Sequence, residues 1–536
     1  MDTETLLGDE AIALGALHAG IAAAYAYPGT PSTEIMEYLQ ARLGAQGGAA
    51  SRMTTVAQWC ANEKTAYESA LGTSFAGGRA LVSMKHVGLN VAADPFVNSA
   101  LIRINGGLVV VVADDPGMHS SQDEQDSRAM AAFARVPCFE PADQQEAYDM
   151  VREAFDYSES HEVPVLFRIT TRLAHARAAV RTRAATPRPQ ARAAAADGSW
   201  ILMPANARKR WRELLGKQAA FQADAEAVAT LSSGSRTGVV TCGIAGAYYG
   251  EFEAELRSLP GGAPTRLHIG RYPIPAAKNR ALAESVDRIV VLEEGYPIVE
   301  EAIRGIFGSP VPVAGKMSGE LPLDGELTPD LVRRALGLSA RAGFPPSALV
   351  PPSRPPQFCQ GCPHSDSYNA LNEAMAGMEN KVVASDIGCY TLGALPPYNA
   401  IQTCVDMGAS VGMARGAAEA GVEHAVAVIG DSTFYHSGLS SLLDAVSHGT
   451  NMTLMILDND TTGMTGAQPT IVPGTRIRPI LEGLGVDPTH IRILRAHRNQ
   501  HAENVAAIRE ELAHRGVSVV VMVRECIEAL KKARCS

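Results

Sequence analysis

Apolar residues in this chain fall into two patterns. Short unbroken runs, such as LVVVVA over 108–113, AVAVI over 425–429 and LMIL over 454–457, are bounded by Gly, Asp or Asn. Runs of this kind mark strands buried on both faces. Between them apolar residues recur at helical spacing, as at Leu439, Leu442, Leu443 and Val446, which predicts amphipathic helices. Residues 1–180 alternate the two patterns, with strands expected over 22–27, 54–59, 80–84, 108–113 and 163–169, and helices such as 32–43 and 63–75 between them. That order predicts a doubly wound parallel sheet. Residues 236–320 repeat it on a smaller scale, with strands over 237–241, 266–269 and 288–292 and a helix over 247–256. Residues 357–536 form a second large α/β segment, with strands over 382–387, 425–429, 454–457 and 517–523.

Two stretches interrupt this rhythm. Residues 181–235 are rich in Ala and Arg, with Pro187, Pro189 and Pro204, and read as a linker. Their basic cluster of Arg208, Lys209, Arg210 and Arg212 reads as a solvated helix face. Residues 321–356 hold Pro322, Pro329 and the pairs Pro345-Pro346, Pro351-Pro352 and Pro355-Pro356, a stiff connector.

Composition narrows the function classes. A length of 536 residues with 46% apolar and 19% charged side chains calls for several well-packed domains. The formal charge of -10 offers no basic surface for nucleic acid. No apolar run approaches the roughly 18 residues of a membrane span. The acidic start MDTETLLGDE lacks the basic-then-apolar form of a secretory signal, so a cytoplasmic protein is expected. Nine cysteines in so long a chain are then free thiols or metal ligands rather than a disulfide framework.

The candidate chemistry lies where strands end. Asp431 and Asn459 follow two of the runs, and the carboxyl ends of parallel strands are where open α/β sheets bind ligands. Gly430 permits a close backbone approach. Asp431, Asn459 and a carbonyl just beyond would hold magnesium while leaving room for phosphate oxygens; the plainer alternative is a strand–helix–strand unit with capping polar groups. Gly408 to Ser410 open a helix of small residues, suited to a diphosphate or to tight helix–sheet packing. Tyr27-Pro28-Gly29-Thr30-Pro31-Ser32 makes a turn after the first strand. Glu63 starts a helix, where a carboxylate often does no more than compensate the dipole. Lys85, His86 and the loop carrying His119 are further polar groups on the same edge. Cys359-x-x-Cys362 suits a redox dithiol, a zinc pair or an iron–sulfur pair. Cys389 and Cys526 follow other strands, so four thiolates can converge on one [4Fe–4S] cluster; otherwise they are free cysteines. Glu293, Glu294 and Tyr296 follow a strand with a structural or interface role.

The spacing of Gly430-Asp431 and Asn459 resembles the diphosphate-binding signature of thiamine-diphosphate enzymes. The tail TTGMTGAQ over 461–468 narrows the resemblance to the large subunit of indolepyruvate ferredoxin oxidoreductases, a branch of the 2-oxoacid:ferredoxin oxidoreductases. Residues 62–64, 84–90, 114–122, 359–364 and 385–392 and the turn after the first strand share it. The resemblance implies an α/β fold of three domains. Pyrimidine-binding (1–180) and diphosphate-binding (357–536) doubly wound parallel sheets flank a smaller transketolase-C-like domain (236–320). It implies that Glu63 faces N1′ of the aminopyrimidine. Thr30 would face the thiazolium and substrate, with Tyr27, Pro28 and Gly29 beside it, and Lys85, His86 and His119 would approach the 2-oxo acid. Asp386, Gly388, Met407, Gly408, Ser410, Gly430, Asp431, Ser432, Thr433, Asn459, Thr461, Met464 and Thr465 would surround the diphosphate. Magnesium would sit on Asp431, Asn459 and Thr461, and one [4Fe–4S] cluster on Cys359, Cys362, Cys389 and Cys526.

The implied activity is oxidative decarboxylation of a 2-oxo acid, an aryl pyruvate such as indolepyruvate, to an acyl-CoA. Coenzyme A is the co-substrate and a ferredoxin-type protein takes the electrons. A homodimer within a hetero-oligomer with a smaller subunit is implied as well. The family's large subunits continue into a ferredoxin-like tail with repeated Cys-x-x-Cys runs, whereas this sequence stops at Ser536 soon after Cys526. That departure keeps a second expectation open, a non-oxidative thiamine-diphosphate decarboxylase or carboligase. A non-catalytic scaffold is a third, opposed by the intact Glu63, Asp431 and Asn459.

Overall fold

The computed structural model describes residues 3–45, 55–188, 200–259, 261–305, 308–339, 343 and 356–535. Thr54 of one expected strand, residues 189–199 of the expected linker and 340–342 and 344–355 of the expected connector lie outside the described residues. Among the described residues no helix is long and apolar enough to cross a membrane. The chain divides into two compact units, Met1–Pro345 and Pro346–Ser536.

The first unit is built on a seven-stranded sheet. Its order is Arg271–Tyr272, Cys138–Phe139, Val165–Thr170, Leu108–Asp114, Ala80–Lys85, Ala23–Ala26 and Val56–Trp59. All neighbours are parallel except Arg271–Tyr272 against Cys138–Phe139. The three central strands, Val165–Thr170, Leu108–Asp114 and Ala80–Lys85, are buried at every position, which is why apolar residues dominate them without alternation; the polar exceptions are Ser83, Arg168 and the strand-end residues Lys85, Asp114 and Thr170. Parallel pairing brings Ala26, Trp59, Lys85 and Asp114 to one edge, so the turns that follow them share a rim.

A second sheet of this unit has five strands, in the order Val313–Ala314, Arg288–Leu292, Ser235–Cys242, Pro264–Ile269 and Thr230–Ser232. The two sheets are joined by a buried ionic cluster. Arg168 donates Nε to Asp114 Oδ2 at 2.6 Å and pairs with Glu140. Arg128 holds Asp126 at 2.6 Å and Glu293 at 3.1 Å, and donates to the carbonyls of Glu294 and Tyr296. Charges this deeply buried persist only when paired. Burial raises the carboxyl pKa of Asp114 and Glu293 against the pull of the two guanidinium groups. Glu293 and Glu294 thus serve packing between the two sheets.

Two expectations need correction. The 181–235 segment is no plain linker: Pro204–Val228 is a 25-residue helix. It buries Leu214, Phe221 and Ala225, with Phe221 6.3 Å from the Tyr157 ring. An apolar seam that thin is hidden in an Ala/Arg-rich composition. Arg208, Lys209 and Arg212 are exposed, as expected of a solvated face. The helix expected over 247–256 is broken into Ala245–Gly250 and Glu253–Arg257, with Phe252 buried at the joint.

The second unit carries a wholly parallel sheet in the order Lys381–Ser385, His424–Gly430, Met452–Asp458, Val517–Val523 and Ile491–Arg495. The last strand is an edge. Its sequence IRILR, broken by two arginines and exposed at Ile493 and Arg495, conceals it from a search for continuous apolar runs. Gly430 pairs with Leu457, so Asp431 and Asp458 leave the sheet side by side.

Candidate active site

In the first unit, Asn62 caps the helix Glu63–Phe75, its side chain accepting from Thr65 N at 2.8 Å. The cap sets Glu63 at the first helical position, 5% exposed. Gly88, on the short helix His86–Val91, lies directly against it. A Cβ at position 88 would stand 2.5 Å from Glu63 Oε1, so only glycine leaves this carboxylate in place.

Three loops knot around Lys85. Its Nζ donates to the Ser120 carbonyl at 2.5 Å, and the Ser120 hydroxyl donates to the Thr30 carbonyl at 3.1 Å. The Lys85 stem packs beneath Gly29, where a Cβ would stand 3.3 Å from Lys85 Cβ. Ser32 Oγ donates to the Gly29 carbonyl at 2.8 Å and Gly29 N to Thr33 Oγ1 at 3.0 Å, which close the turn. Asp115 organises the third loop, accepting from Ser120 N at 2.8 Å, Ser121 Oγ at 2.5 Å and Thr171 Oγ1 at 2.7 Å. Burial lowers the Lys85 pKa, and Asp115, Asp123 and Glu63 oppose that shift.

Tyr27 and Pro28 are buried, and Thr30 is half-buried. His86 is buried with Nε2 3.3 Å from Asp123 Oδ1, and its Nδ1 has no hydrogen-bond partner. His119 stands apart from the knot: its side chain is 54% exposed and faces Glu326 at 4.0 Å. Gly88, Asp115 and Ser120 escaped the sequence reading. Asp115 was findable as the second residue of an Asp pair whose first member, ending the strand, is claimed by Arg168.

In the second unit, Asp431 and Asp458 form a buried acidic pair. Oδ2 of each lacks a hydrogen-bond partner. Burial pushes both carboxyls above the ordinary range, and the Asp458 charge adds to the rise at Asp431. Such a pair keeps a proton or takes up a cation. Asp458 was overlooked although it directly precedes Asn459. Asn459 turns its Oδ1 to Thr461 N at 3.2 Å and its Nδ2 toward His364 Nε2 at 3.4 Å. Thr461 donates Oγ1 to the Gln468 carbonyl at 2.8 Å.

The close approach expected at Gly430 is made by the chain itself. The Tyr390 ring lies so near that a Cβ on Gly430 or Gly388 would stand 2.5 or 2.3 Å from it. Tyr390 OH donates to Asp386, and Ser410 N donates to the other Asp386 oxygen at 3.1 Å. The N-terminus of the helix Ala409–Glu419, with Gly408 at φ 89°, therefore holds a carboxylate of its own chain. Burial pushes Asp386 up to about 6. Ser410 Oγ is buried without a hydrogen-bond partner. Ser432 Oγ meets Thr462 Oγ1 at 2.9 Å, Thr433 donates to the Ile387 carbonyl at 3.1 Å, and Thr465 donates to Gln468 Oε1 at 2.6 Å. Met407 is half-buried and Met464 exposed.

The four singled-out cysteines converge in this unit. A Cβ on Gly463 would stand 3.4 Å from Cys389 Sγ and 3.8 Å from Cys526 Sγ. Burial, followed by the charges of Cys359 and Cys526, pushes Cys362 up to about 11. Burial and the other three thiols push Cys389 up to about 12. Thiols that raise one another in this way become thiolates when a metal binds, and an all-sulfur donor set suits iron–sulfur or zinc. Cys526 N donates to the Asn459 carbonyl at 3.2 Å, which ties the cysteine group to the strand end beside Asp431.

Comparison with known proteins bears on both units. Residues 386–522 match the family of thiamine pyrophosphate enzymes, C-terminal TPP-binding domain. Residues 14–199 match pyruvate flavodoxin/ferredoxin oxidoreductase, thiamine diphosphate-binding. Indolepyruvate oxidoreductase subunit IorA of Archaeoglobus fulgidus is 36% identical over 99% of this chain and 87% of its own length. Its counterparts in Methanothermobacter thermautotrophicus (36%; 97% of this chain, 86% of theirs) and Pyrococcus abyssi (35%; 97% and 85%) agree. The chain belongs to the indolepyruvate oxidoreductase IorA family. It is a thiamine-diphosphate-dependent oxidoreductase of the 2-oxo acid class, as the motifs around Glu63 and Asp431 led one to expect. Membership removes the scaffold reading and disfavours the non-oxidative one.

Proposed function

We propose that this member of the family oxidises an aryl-substituted 2-oxo acid, indolepyruvate being the type. Carbon dioxide is released and the acyl group passes to coenzyme A. Two electrons leave one at a time through a [4Fe–4S] cluster on Cys359, Cys362, Cys389 and Cys526 to a ferredoxin-type acceptor. The observation that carries this reading is the gathering of the four thiols beside the strand ends of Asp431 and Asn459, which a non-oxidative enzyme does not need. A smaller partner subunit, a homodimeric core and a cytoplasmic setting, whose reducing conditions suit the free thiols, complete the proposal.

Thiamine diphosphate, when bound, supplies the carbon nucleophile and the electron sink for decarboxylation. Glu63 would hold the aminopyrimidine through N1′, its carboxylate kept from turning away by Gly88. Lys85, whose pKa burial lowers while Asp115, Asp123 and Glu63 oppose the shift, would bind the substrate carboxylate, with Thr30 and His86 beside it. His119, out on the rim, would serve substrate entry. Asp431, Asn459 and Thr461 would hold magnesium, and Asp458, buried beside Asp431, would join that set.

Two tests follow from these contacts. Gly88→Ala should cut kcat by about 10²-fold or more by displacing Glu63, at a stability cost of about 1–3 kcal/mol. Steady-state rates alongside a denaturation curve read both effects, and unaltered turnover would refute the placement. The second test concerns the acidic pair. Because Asp431 and Asp458 are raised, the folded chain keeps a proton that the unfolded chain gives up. Stability without metal therefore falls as pH rises from the ordinary carboxylate range through their raised values. A bound cation displaces the proton. Stabilisation by Mg2+ with thiamine diphosphate should grow with pH across that window, and binding should release a proton. Calorimetry in buffers of different ionisation heat measures the release; Asp431→Asn should abolish it and weaken cofactor binding. Equal release from the variant would exclude the pair.

A further inference from the structure

We propose that Asp9, Glu34 and His175 form a second metal site in the first unit, for a divalent cation of the Mn2+ or Zn2+ class. One ligand atom from each of the three lies within 4.8 Å of the others. A cation about 2.0–2.2 Å from each donor needs them roughly 3–4 Å apart. Small rotations of Glu34 and His175, whose side chains are each 36% exposed, supply that closure. Two carboxylates and one imidazole favour such a cation over magnesium, which prefers an all-oxygen shell.

The second observation is Asp9 itself. It is fully buried, and neither of its oxygens has a hydrogen-bond partner. A carboxylate in that condition is costly unless something positive reaches it. The groups acting on it are acidic: Glu34 and Glu10. Glu10 is itself engaged, accepting from Leu7 N at 2.8 Å and standing 3.3 Å from Arg177. Glu34 Oε2 stands 3.5 Å from His175 Nε2. The three residues are held together by packing. Gly8 opens the helix Gly8–His18 so close to the segment Thr171–His175 that a Cβ there would stand 2.1 Å from the Leu173 carbonyl oxygen.

The ion would brace the loops gathered around Lys85. Glu34 belongs to the helix Thr33–Ala45, which directly follows the turn bearing Thr30, and His175 ends the segment whose Thr171 holds Asp115. Both loops meeting at Ser120 would thus share one ligand set. Its ligands are shared with neither the magnesium site nor the cysteine group.

The test titrates the full-length chain with Mn2+ while excess Mg2+ and thiamine diphosphate fill the diphosphate site. Mn2+ is a poor partner for thiolates, so the cysteines interfere little. Bound Mn2+ is counted from the spin-resonance signal of the free ion. Wild type should bind one more Mn2+ per chain than His175→Ala or Glu34→Gln, and its thermal midpoint alone should rise with Mn2+. His175 is half-exposed, so its replacement leaves the fold intact. Equal Mn2+ counts in all three proteins would overturn the proposal. An Asp9→Asn variant at least as stable as wild type, together with equal counts, would show that Asp9 and Glu34 share a proton instead.

Discussion

Glu63→Gln should abolish turnover, lowering kcat by about 10³-fold or more, within the range of a lost acid–base group. Glutamine keeps the shape and the helix position behind the Asn62 cap but removes the charge proposed to face N1′ of the cofactor. The ligands assigned to magnesium and diphosphate lie on the other compact unit, around Asp431 and Asn459. Cofactor binding by calorimetry should therefore weaken by less than about tenfold, or 1.4 kcal/mol. That separation between lost rate and retained binding is the signature of a group acting on the reacting part of the cofactor. A variant with normal kcat would remove Glu63 from the reaction. One that lost binding altogether would make it a structural residue.

Cys389→Ala should empty the cysteine group. Anaerobically purified protein is expected to hold about four irons and four acid-labile sulfides per chain, the content of one cubane cluster. Burial and the other three thiols push Cys389 up to about 12. Its loss should drop iron towards zero and stop reduction of a ferredoxin-type acceptor. Cys404 is exposed and its interactions are with Thr391 and Asp386, so Cys404→Ala should keep both iron and activity. Colourless wild-type protein that consumes the 2-oxo acid without an acceptor would reverse the proposal in favour of the non-oxidative enzyme. Unchanged iron in Cys389→Ala would place any cluster elsewhere.

Much of the fold was legible because strands buried on both faces cannot hide: every residue of Leu108–Asp114 and Met452–Asp458 is covered, so the sequence is apolar except at Thr453 and the two closing aspartates. The elements that escaped have mixed faces. The edge strand Ile491–Arg495 alternates with arginine, and the helix Pro204–Val228 buries little beyond Leu214, Phe221 and Ala225. Within the candidate site the sequence singled out residues at strand ends and helix starts, Asp431, Glu63 and the four cysteines among them, and the structure brings the four thiols together. It was not legible where the chemistry depends on a neighbour distant in sequence. Gly88 acquires meaning only beside Glu63, Asp458 only beside Asp431, and Ser120 only between Lys85 and Thr30.

By itself, then, the sequence determined the α/β architecture, the order of its segments and the motifs that place it among thiamine-diphosphate oxidoreductases, since apolar runs and strand-end residues are local properties. Tertiary structure alone decided which polar groups are satisfied. It committed the Ser410 amide to Asp386 and turned His119 to the rim. It left Asp9, Asp431 and Asp458 buried with oxygens unpaired. The physical reason is that the cost of a buried charge is set by what surrounds it in space, and those surroundings come from residues that the chain holds far apart.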